Sequence, residues 1–166
     1  MAKVVAKLGD DISTDIIYPG RFMATVLPSE TPQFAFADDE ELNHQLRNGE
    51  ISKESVVVAG SNFGSGSSRE QAASTLKGHE LVIVAKSFAR IFLQNAINLG
   101  LQTIECPEID AQLGDEIEIT PEGVANRTLN QVFEVNPLPA SRRAVVEAGG
   151  LIAYTRKRLM EKLGNC

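Results

Sequence analysis

The chain has 166 residues, of which 43% are hydrophobic, so we expect a single domain with a substantial core. A formal net charge of −6 argues against nucleic acid as a partner, and no apolar run is long enough for a membrane span. The two cysteines, Cys106 and Cys166, lie far apart, and no charged-then-apolar leader precedes Val4. We therefore expect free thiols, a cytoplasmic protein, and no metal or iron–sulfur cluster held by this chain alone.

The first segment predicts a short strand followed by a polar loop. Residues 3–8 alternate between apolar and polar side chains, which favours a strand. Residues 9–21 are dense in short polar residues and turn formers, and they include Asp15 and Arg21. From the residues alone, a surface loop satisfied by Asx turns and a functional loop remain equally open.

The next stretch predicts a connector and a surface helix. Residues 29–38 contain a proline and show little periodicity, which is typical of a mobile lid or connector. Residues 38–46 begin with acidic side chains and place two leucines one turn apart, as expected for a surface helix. His44 lies off that apolar stripe and His79 precedes a strand, so we expect both to be solvated, with no ligand role.

A glycine- and serine-rich turn forms the centre of the sequence. Residues 56–59 are apolar and predict a buried strand, and residues 68–76 predict a helix. The glycines and serines between them allow the backbone to approach a ligand and direct N–H groups and the positive helix end toward it. The turn therefore predicts an anion site, to which Arg69 adds a cation suited to a carboxylate or phosphate.

Three well-known motifs do not match this turn. A phosphate-binding loop requires a lysine after Gly66, and a dinucleotide fingerprint requires a glycine where Arg69 stands. A hydrolase nucleophile elbow requires Gly-x-Ser-x-Gly, which residues 64–68 do not supply. There remains an anion-binding turn that presents hydroxyls beside an arginine, with a purely structural turn and helix cap as the open alternative.

The elements after the turn predict a parallel sheet. Residues 81–85 and 101–106 are apolar strands, and a helix over 88–99 separates them and ends at Gly100. Apolar strands that alternate with helices favour βαβ units and a sheet covered on both faces. We expect Ser87 to cap the second helix, at the sheet edge where the glycine- and serine-rich turn also lies.

The character of the chain changes beyond residue 114. Residues 115–119 and 131–135 alternate, which predicts antiparallel strands with one solvated face, and residues 121–123 predict a turn between them. Residues 137–166 predict a closing helical segment interrupted at two adjacent glycines.

Residues 64–70, Gly-Ser-Gly-Ser-Ser-Arg-Glu, resemble the Gly-x-Gly-Ser-Ser-Arg-Glu signature of the aconitase superfamily. From Lys7 to about Pro107 the chain resembles, in order, the free-standing small subunits of the 3-isopropylmalate dehydratase and homoaconitase type. This resemblance implies an α/β fold: a swivelling β/β/α three-layer domain with a central, mostly parallel sheet and an additional antiparallel sheet. Residues 1–166 would form one such domain.

The resemblance also implies an activity. Relatives of this type are small subunits of two-subunit hydro-lyases, inactive without the large subunit, that isomerise 2-isopropylmalate and 3-isopropylmalate in leucine biosynthesis. It implies that this chain binds no cofactor and that the large subunit carries a [4Fe–4S] cluster. The partner complex would be a heterodimer or heterotetramer acting on a small di- or tricarboxylate.

The resemblance assigns roles by position. Ser67 matches the residue whose deprotonated oxygen acts as the base, and Asp15 would orient a group or relay a proton. Ser68 and Arg69 would hold one substrate carboxylate and Arg21 another. Because an unassisted serine is a poor base, its alkoxide would need the turn's N–H groups, the helix dipole and Arg69.

The substrate depends on residues 22–25, where relatives select the variable group. Ala24, followed by Thr25, stands where homoaconitase-type subunits have an arginine. An uncharged position suits an alkyl group better than a third carboxylate, since an unpaired buried carboxylate is costly; ordinary loop variation is the alternative. Homoaconitase, 2,3-dimethylmalate dehydratase and citramalate/citraconate hydratase remain open, as does a non-catalytic carboxylate-binding module.

Overall fold

The computed structural model describes residues 1–120 and 122–164; the predicted turn at Pro121 and the thiol of Cys166 lie outside the described residues. The strands are β1 (Ala2–Lys7), β2 (Val56–Ala59), β3 (Val82–Ala85), β4 (Gln102–Glu105), β5 (Glu116–Thr120), β6 (Gly123–Asn126) and β7 (Gln131–Phe133). The α-helices are α1 (Thr14–Ile17), α2 (Glu40–Arg47), α3 (Glu70–Gly78), α4 (Arg90–Leu99), α5 (Ala140–Glu147) and α6 (Leu151–Gly164). Two 3-10 turns cover Gly20–Phe22 and Thr31–Phe34.

The strands form one seven-stranded sheet in the order β4-β3-β2-β1-β5-β6-β7. Strands β1 to β4 are parallel, and β5 to β7 are antiparallel. The predicted α/β fold with a parallel portion is confirmed. The antiparallel strands continue the parallel ones through β1, where Ala2 lies opposite Ile117.

The alternation of side chains along β2 divides the core into two layers. Val57 and Ala59 belong to the cluster that α3 and α4 cover. Val56 and Val58 point to the other face, where they pack in a cluster with Ile117 of β5 and with residues of β6. One face of the parallel strands is therefore covered by helices and the other by the antiparallel strands, which is the predicted β/β/α arrangement.

Strand β6 is the element that the sequence analysis did not predict. All four of its residues are buried, so the alternation expected for a half-solvated strand is absent. Gly123, its first residue, has a φ of 153°, and a Cβ there would lie 2.2 Å from the carbonyl oxygen of Phe133. The close approach of β7 requires a glycine at this position.

Of the two alternatives predicted for residues 29–38, the structure supports a connector and not a mobile lid, because this segment is bound to α3. The Thr75 hydroxyl donates to the carbonyl oxygen of Thr31 over 2.7 Å, and both residues are buried. The Pro32 carbonyl oxygen lies 2.8 Å from Nε2 of His79. His79 is therefore half-buried and hydrogen-bonded, contrary to the expectation of a solvated ring, whereas His44 is exposed as predicted.

The predicted closing helices are confirmed as α5 and α6, separated at the adjacent glycines 149 and 150. The turn between them packs against Gly100, which ends α4 in the left-handed conformation with a φ of 74°. Within the described ranges, no helix has both the length and the apolar character needed to cross a lipid bilayer.

Two glycines that follow helix ends provide a test of this packing. Both Gly100 and Gly49 have a φ near 70°, but a Cβ on Gly100 would lie 2.5 Å from the backbone of Gly149, whereas one on Gly49 would meet nothing within 4 Å. We expect Gly49→Ala to lower the free energy of unfolding by about 1 kcal/mol. Gly100→Ala should cost roughly 3 kcal/mol, because backbone overlap adds to the same conformational cost. Urea unfolding of both variants measures the difference, and equal losses would contradict the packing described.

Candidate active site

The first half of the glycine- and serine-rich turn is held by hydrogen bonds within the protein. The N–H of Ser61 donates to the Asp10 carboxylate over 2.7 Å, and the N–H of Gly64 donates to the carbonyl oxygen of Ile12 over 2.7 Å. The N–H of Asn62 donates to the Ser87 hydroxyl over 2.9 Å. The Gly64 N–H is thus not available to an anion, so the second half of the turn, which leads into α3, is the candidate for the predicted anion site.

Ser87 does not cap α4, contrary to the prediction. The N-cap position of that helix is Ala89, which makes no side-chain capping bond. Ser87 instead joins the end of β3 to the turn through two bonds, since its carbonyl oxygen also accepts from the N–H of Phe63 over 3.0 Å. The predicted meeting of these two loops at the carboxyl ends of the parallel strands is confirmed.

The polar segment 9–21 lies along the second half of the turn. Ser13 and Ser65 form a parallel bridge, and the N–H of Thr14 donates to the Ser65 carbonyl oxygen over 2.8 Å. The hydroxyl of Ser13 caps the short helix α1 by accepting from the N–H of Ile16. The segment is therefore a positioned part of this site, which favours the functional interpretation over a surface loop.

Thr14 contacts the predicted base, Ser67. Its hydroxyl lies 3.1 Å from the Ser67 carbonyl oxygen, to which it donates, and 3.3 Å from the Ser67 hydroxyl. Thr14 is buried, whereas Ser67 and the neighbouring Ser68 are exposed. The sequence analysis did not identify this contact; the available signal was that Thr14 precedes Asp15 in the same short segment.

Asp15 and Arg69 form an ion pair beside this hydroxyl pair. The Arg69 guanidinium donates through Nη1 to Oδ1 of Asp15 over 2.5 Å and to the Tyr18 carbonyl oxygen over 3.2 Å. The Gly20 N–H donates to the same Asp15 oxygen over 2.9 Å. The hydrogen bond from Arg69, followed by that from Gly20, holds the pKa of the Asp15 carboxyl below its ordinary value. Asp15 is therefore ionised at neutral pH.

Arg21 has a different partner from Arg69. Its guanidinium lies 2.5 Å from the Asp38 carboxylate and 4.6 Å from the centre of the Phe22 ring, and its side chain is 54% exposed. Its positive charge nevertheless contributes to the lowered pKa of Asp15. The structure thus brings together Asp15, Ser67 and Arg69, whereas Arg21 is paired outside that group.

The loop that carries Ala24 and Thr25 follows the Gly20–Phe22 turn. Ala24 is exposed and Thr25 is half-buried. The Gln71 side-chain amide, from the first turn of α3, lies 3.4 Å from the Met23 carbonyl oxygen. Gln71 follows Arg69 by two positions, so the loop lies beside the helix start that carries the arginine.

The described residues offer no ligand set for a cluster. Within residues 1–120 and 122–164, no group of three or more His, Cys, Asp or Glu side chains is arranged to hold a metal ion. Cys106 is buried, its thiol donates to the Glu134 carbonyl oxygen over 3.3 Å, and burial raises its pKa to about 11. A thiol of this kind is a poor ligand because metals bind the thiolate.

The candidate site is an open surface. A cavity of about 570 Å³ lies at the opposite end of the parallel strands, where Leu81, Gln102 and Arg143 are among its lining residues. Ser67 and Ser68, in contrast, are exposed on the outside of the chain. A small acid bound at Arg69 would therefore be only partly enclosed by this chain.

The fold and this site define a class of α/β domains in which a helix N-terminus and a second polar loop meet at the carboxyl ends of parallel strands. Comparison with known families identifies the class: the aconitase C-terminal domain matches residues 12–109. The small subunit of 3-isopropylmalate dehydratase from Methanosarcina mazei is 42% identical over 160 residues, which cover 94% of this chain and 96% of that protein. The chain belongs to the 3-isopropylmalate dehydratase small-subunit family of the aconitase superfamily.

Two further relatives extend the comparison. The isopropylmalate/citramalate isomerase small subunit of Methanocaldococcus jannaschii is 39% identical over 163 residues, which cover 95% of this chain and 94% of that one. A crystal structure of 3-isopropylmalate dehydratase from the same organism superposes with a TM-score of 0.89 at 35% identity, covering 99% of this chain and 98% of that one. The similarity therefore includes the antiparallel strands and the closing helices.

The ion pair predicts a measurable titration. In Arg69→Gln the carboxyl pKa of Asp15 should rise toward its ordinary value, because the strongest hydrogen bond to the ionised form is lost. Arg21→Gln should raise it less, since Arg21 acts only through its charge. Carbon-detected NMR titration of the Asp15 carboxyl measures both shifts. Equal shifts in the two variants would contradict the assignment of Arg69 as the main cause of the lowered pKa.

The same pKa has a consequence for stability. Because folding lowers it, the pair stabilises the fold above the unfolded-state pKa of Asp15, and that contribution is lost as the pH falls through the folded-state pKa.

Proposed function

We propose that this chain is the small subunit of a two-subunit hydro-lyase that interconverts 2-isopropylmalate and 3-isopropylmalate by dehydration and rehydration, in leucine biosynthesis. The observation that carries the proposal is the Asp15–Arg69 pair beside Thr14 and Ser67 at the start of α3. Residues 1–166 act as one swivel domain within the complex. The buried free thiol of Cys106 suits a reducing cytoplasm.

Arg69 binds a carboxylate of the substrate. Its Nη1 group is engaged by Asp15 and Tyr18, which fix the plane of the guanidinium and leave Nε and Nη2 to donate to the substrate. Ser68 and the N-terminus of α3 add donors from the same side. Asp15 is the orienting partner of Arg69 in this arrangement, because its Oδ1 atom already accepts from both Arg69 and the Gly20 N–H.

Ser67 moves the carbon-bound proton. As an alkoxide it takes the proton next to the bound carboxylate and becomes a neutral hydroxyl, while the electron pair of the broken C–H bond moves onto the substrate. The charge that develops on the carboxylate is stabilised by Arg69 and Ser68. Rehydration runs the same transfer in reverse at the other carbon. Thr14, 3.3 Å away, accepts from the neutral hydroxyl while it donates to the Ser67 carbonyl oxygen, and it turns its one proton from that carbonyl to the alkoxide when Ser67 is ionised.

The other half of the reaction is assigned to a large subunit. Loss of hydroxide needs a Lewis acid, which the large subunit supplies as a [4Fe–4S] cluster when it covers this open face. Arg21 would hold the second substrate carboxylate, for which it must exchange Asp38 for the substrate. Both subunits would form a heterodimer or a heterotetramer around a small dicarboxylate.

The loop with Ala24 favours an alkyl substituent on the substrate. Ala24 provides no charge for a third carboxylate, and the neighbouring Met23 and Val26 are exposed apolar side chains. Citramalate, which has a methyl group in place of the isopropyl group, is the second candidate. It is favoured by the name of the Methanocaldococcus jannaschii relative, an isopropylmalate/citramalate isomerase small subunit. Thr25, the next residue in this loop after Ala24, is half-buried.

The serine tests the reaction directly. Reconstituted with its large subunit, Ser67→Ala should reduce kcat by on the order of a hundredfold or more, because the base is lost. Ser61→Ala is the matched control: Ser61 is an exposed serine of the same turn, held by its backbone N–H. Spectrophotometric assay of the dehydrated intermediate measures both. Full activity in Ser67→Ala would favour a carboxylate-binding module without catalysis. Turnover by this chain alone would contradict the proposal that the reaction needs both subunits.

Substrate selection gives a separate test. Ala24→Arg should lower kcat/KM for isopropylmalate by roughly tenfold and raise the relative activity on homoaconitate, because the new cation pairs with a distal carboxylate. Ala24→Gln, of similar length without the charge, separates steric from ionic effects. Strong preference of the unaltered complex for homoaconitate or 2,3-dimethylmalate would overturn the substrate assignment while leaving the reaction type intact.

A further inference from the structure

Tyr18 is a completely buried tyrosine whose hydroxyl is engaged by the substrate-selecting loop. Its relative exposure is 0%, and the hydroxyl donates toward the carbonyl oxygens of Phe22, at 3.1 Å, and Thr25, at 3.3 Å. These two carbonyls flank Ala24 in the chain. Burial raises the pKa of the Tyr18 phenol, so the hydroxyl remains a protonated donor at neutral pH.

The backbone of the same residue contacts the carboxylate-binding arginine. The Tyr18 carbonyl oxygen accepts from Nη1 of Arg69 over 3.2 Å. The Tyr18 ring is fixed by edge-on packing against Phe34, at a centroid distance of 6.0 Å, and against Phe22, at 6.5 Å. One rigid residue therefore connects Arg69 to the loop that carries Ala24.

Within the loop, the N–H of Thr25 donates to the Phe22 carbonyl oxygen over 2.9 Å, but the other restraints from outside the loop are weaker than the Tyr18 hydroxyl. Ala24 and Val26 are exposed, and the contacts from outside the loop to its backbone include the amide of Gln71, which lies 3.4 Å from the Met23 carbonyl oxygen. The Tyr18 hydroxyl bond is shorter and is protected from water. Buried hydrogen bonds hold a backbone more firmly than exposed ones because water does not compete for them.

We infer that Tyr18 is a positioning residue for substrate selection, one that sets the distance between the carboxylate held by Arg69 and the alkyl group received at Ala24. The inference rests on the proposed function. Tyr18 does not contact the substrate. Loss of its hydroxyl leaves the Thr25 carbonyl without its buried donor and the Phe22 carbonyl with the Thr25 N–H alone, so the loop shifts while the base Ser67 keeps its place.

The test is Tyr18→Phe in the chain reconstituted with its large subunit and assayed with isopropylmalate and citramalate. We expect KM for isopropylmalate to rise roughly fivefold and kcat to change less than about twofold. The ratio of kcat/KM for isopropylmalate to kcat/KM for citramalate should change by about threefold, toward a value of one. Tyr154→Phe is the matched control, since Tyr154 lies on α6 beside Arg158 and should leave both parameters unchanged.

Two results in Tyr18→Phe would contradict the positioning role. Unchanged KM and selectivity in Tyr18→Phe, or an equal fall of kcat for both substrates with constant KM, overturn the inference. Should Tyr18→Phe not fold, Gln71→Met removes the second restraint on the same loop. It should produce a smaller change of the same kind, and unchanged KM and selectivity in that variant would overturn the inference.

A measurement without turnover makes the inference independent of the assay. Hydrogen exchange on this chain alone should be roughly tenfold faster in Tyr18→Phe at the amides of Met23 and Thr25, which bond within the loop, than in Tyr154→Phe. Equal exchange overturns the inference. A wild-type complex inactive on all the acids tested would refute the proposed function, while the exchange result would still decide the role of Tyr18.

Discussion

The ion pair between Asp15 and Arg69 is the interaction on which the site depends. It joins residues 54 positions apart in sequence, and the Arg69 side chain is only 20% exposed, so the guanidinium needs a counter-charge in place. With the pair formed, the segment containing Thr14 lies against the turn, and the Thr14 hydroxyl reaches Ser67. The backbone bonds between Thr14 and Ser65 and between Gly64 and Ile12 hold the same two segments together. The orientation of Arg69 and the surroundings of Ser67 are thus set together where these two segments meet.

Much of the parallel half could be predicted because its signals are local. Apolar runs identified β2 and β3, and a glycine after its last residue marked the end of α4. A cluster of glycines and serines identified the turn before α3. Strand β6 escaped prediction because a strand buried on both faces has no alternation, and its glycine start suggested a turn. The roles of Thr14 and Ser87 depend on partners more than 20 residues away, Ser67 and Asn62. No periodicity encodes such pairings; they appear only when the sheet brings strand ends together.

The exposed position of the serines agrees with the proposed division of the site between two chains. A closed pocket would shield Arg69 and a substrate from water by itself, whereas in the proposed complex the large subunit would do so. The consequence is electrostatic as well as geometric. Placed under a covering subunit, the charges of Arg69, Arg21 and Asp15 would interact more strongly than they do in solvent, because the effective dielectric constant falls. In the proposed complex, subunit association would therefore strengthen carboxylate binding.

Strand β1 occupies the middle of the sheet, with parallel β2 on one side and antiparallel β5 on the other. During synthesis this strand is made before both of its neighbours, which follow about fifty and more than a hundred residues later. One edge of β1 therefore stays unpaired until β5 has been made. Folding of the whole sheet is consequently dominated by long-range pairing, which slows it and extends the period in which an apolar edge is open to other nascent chains.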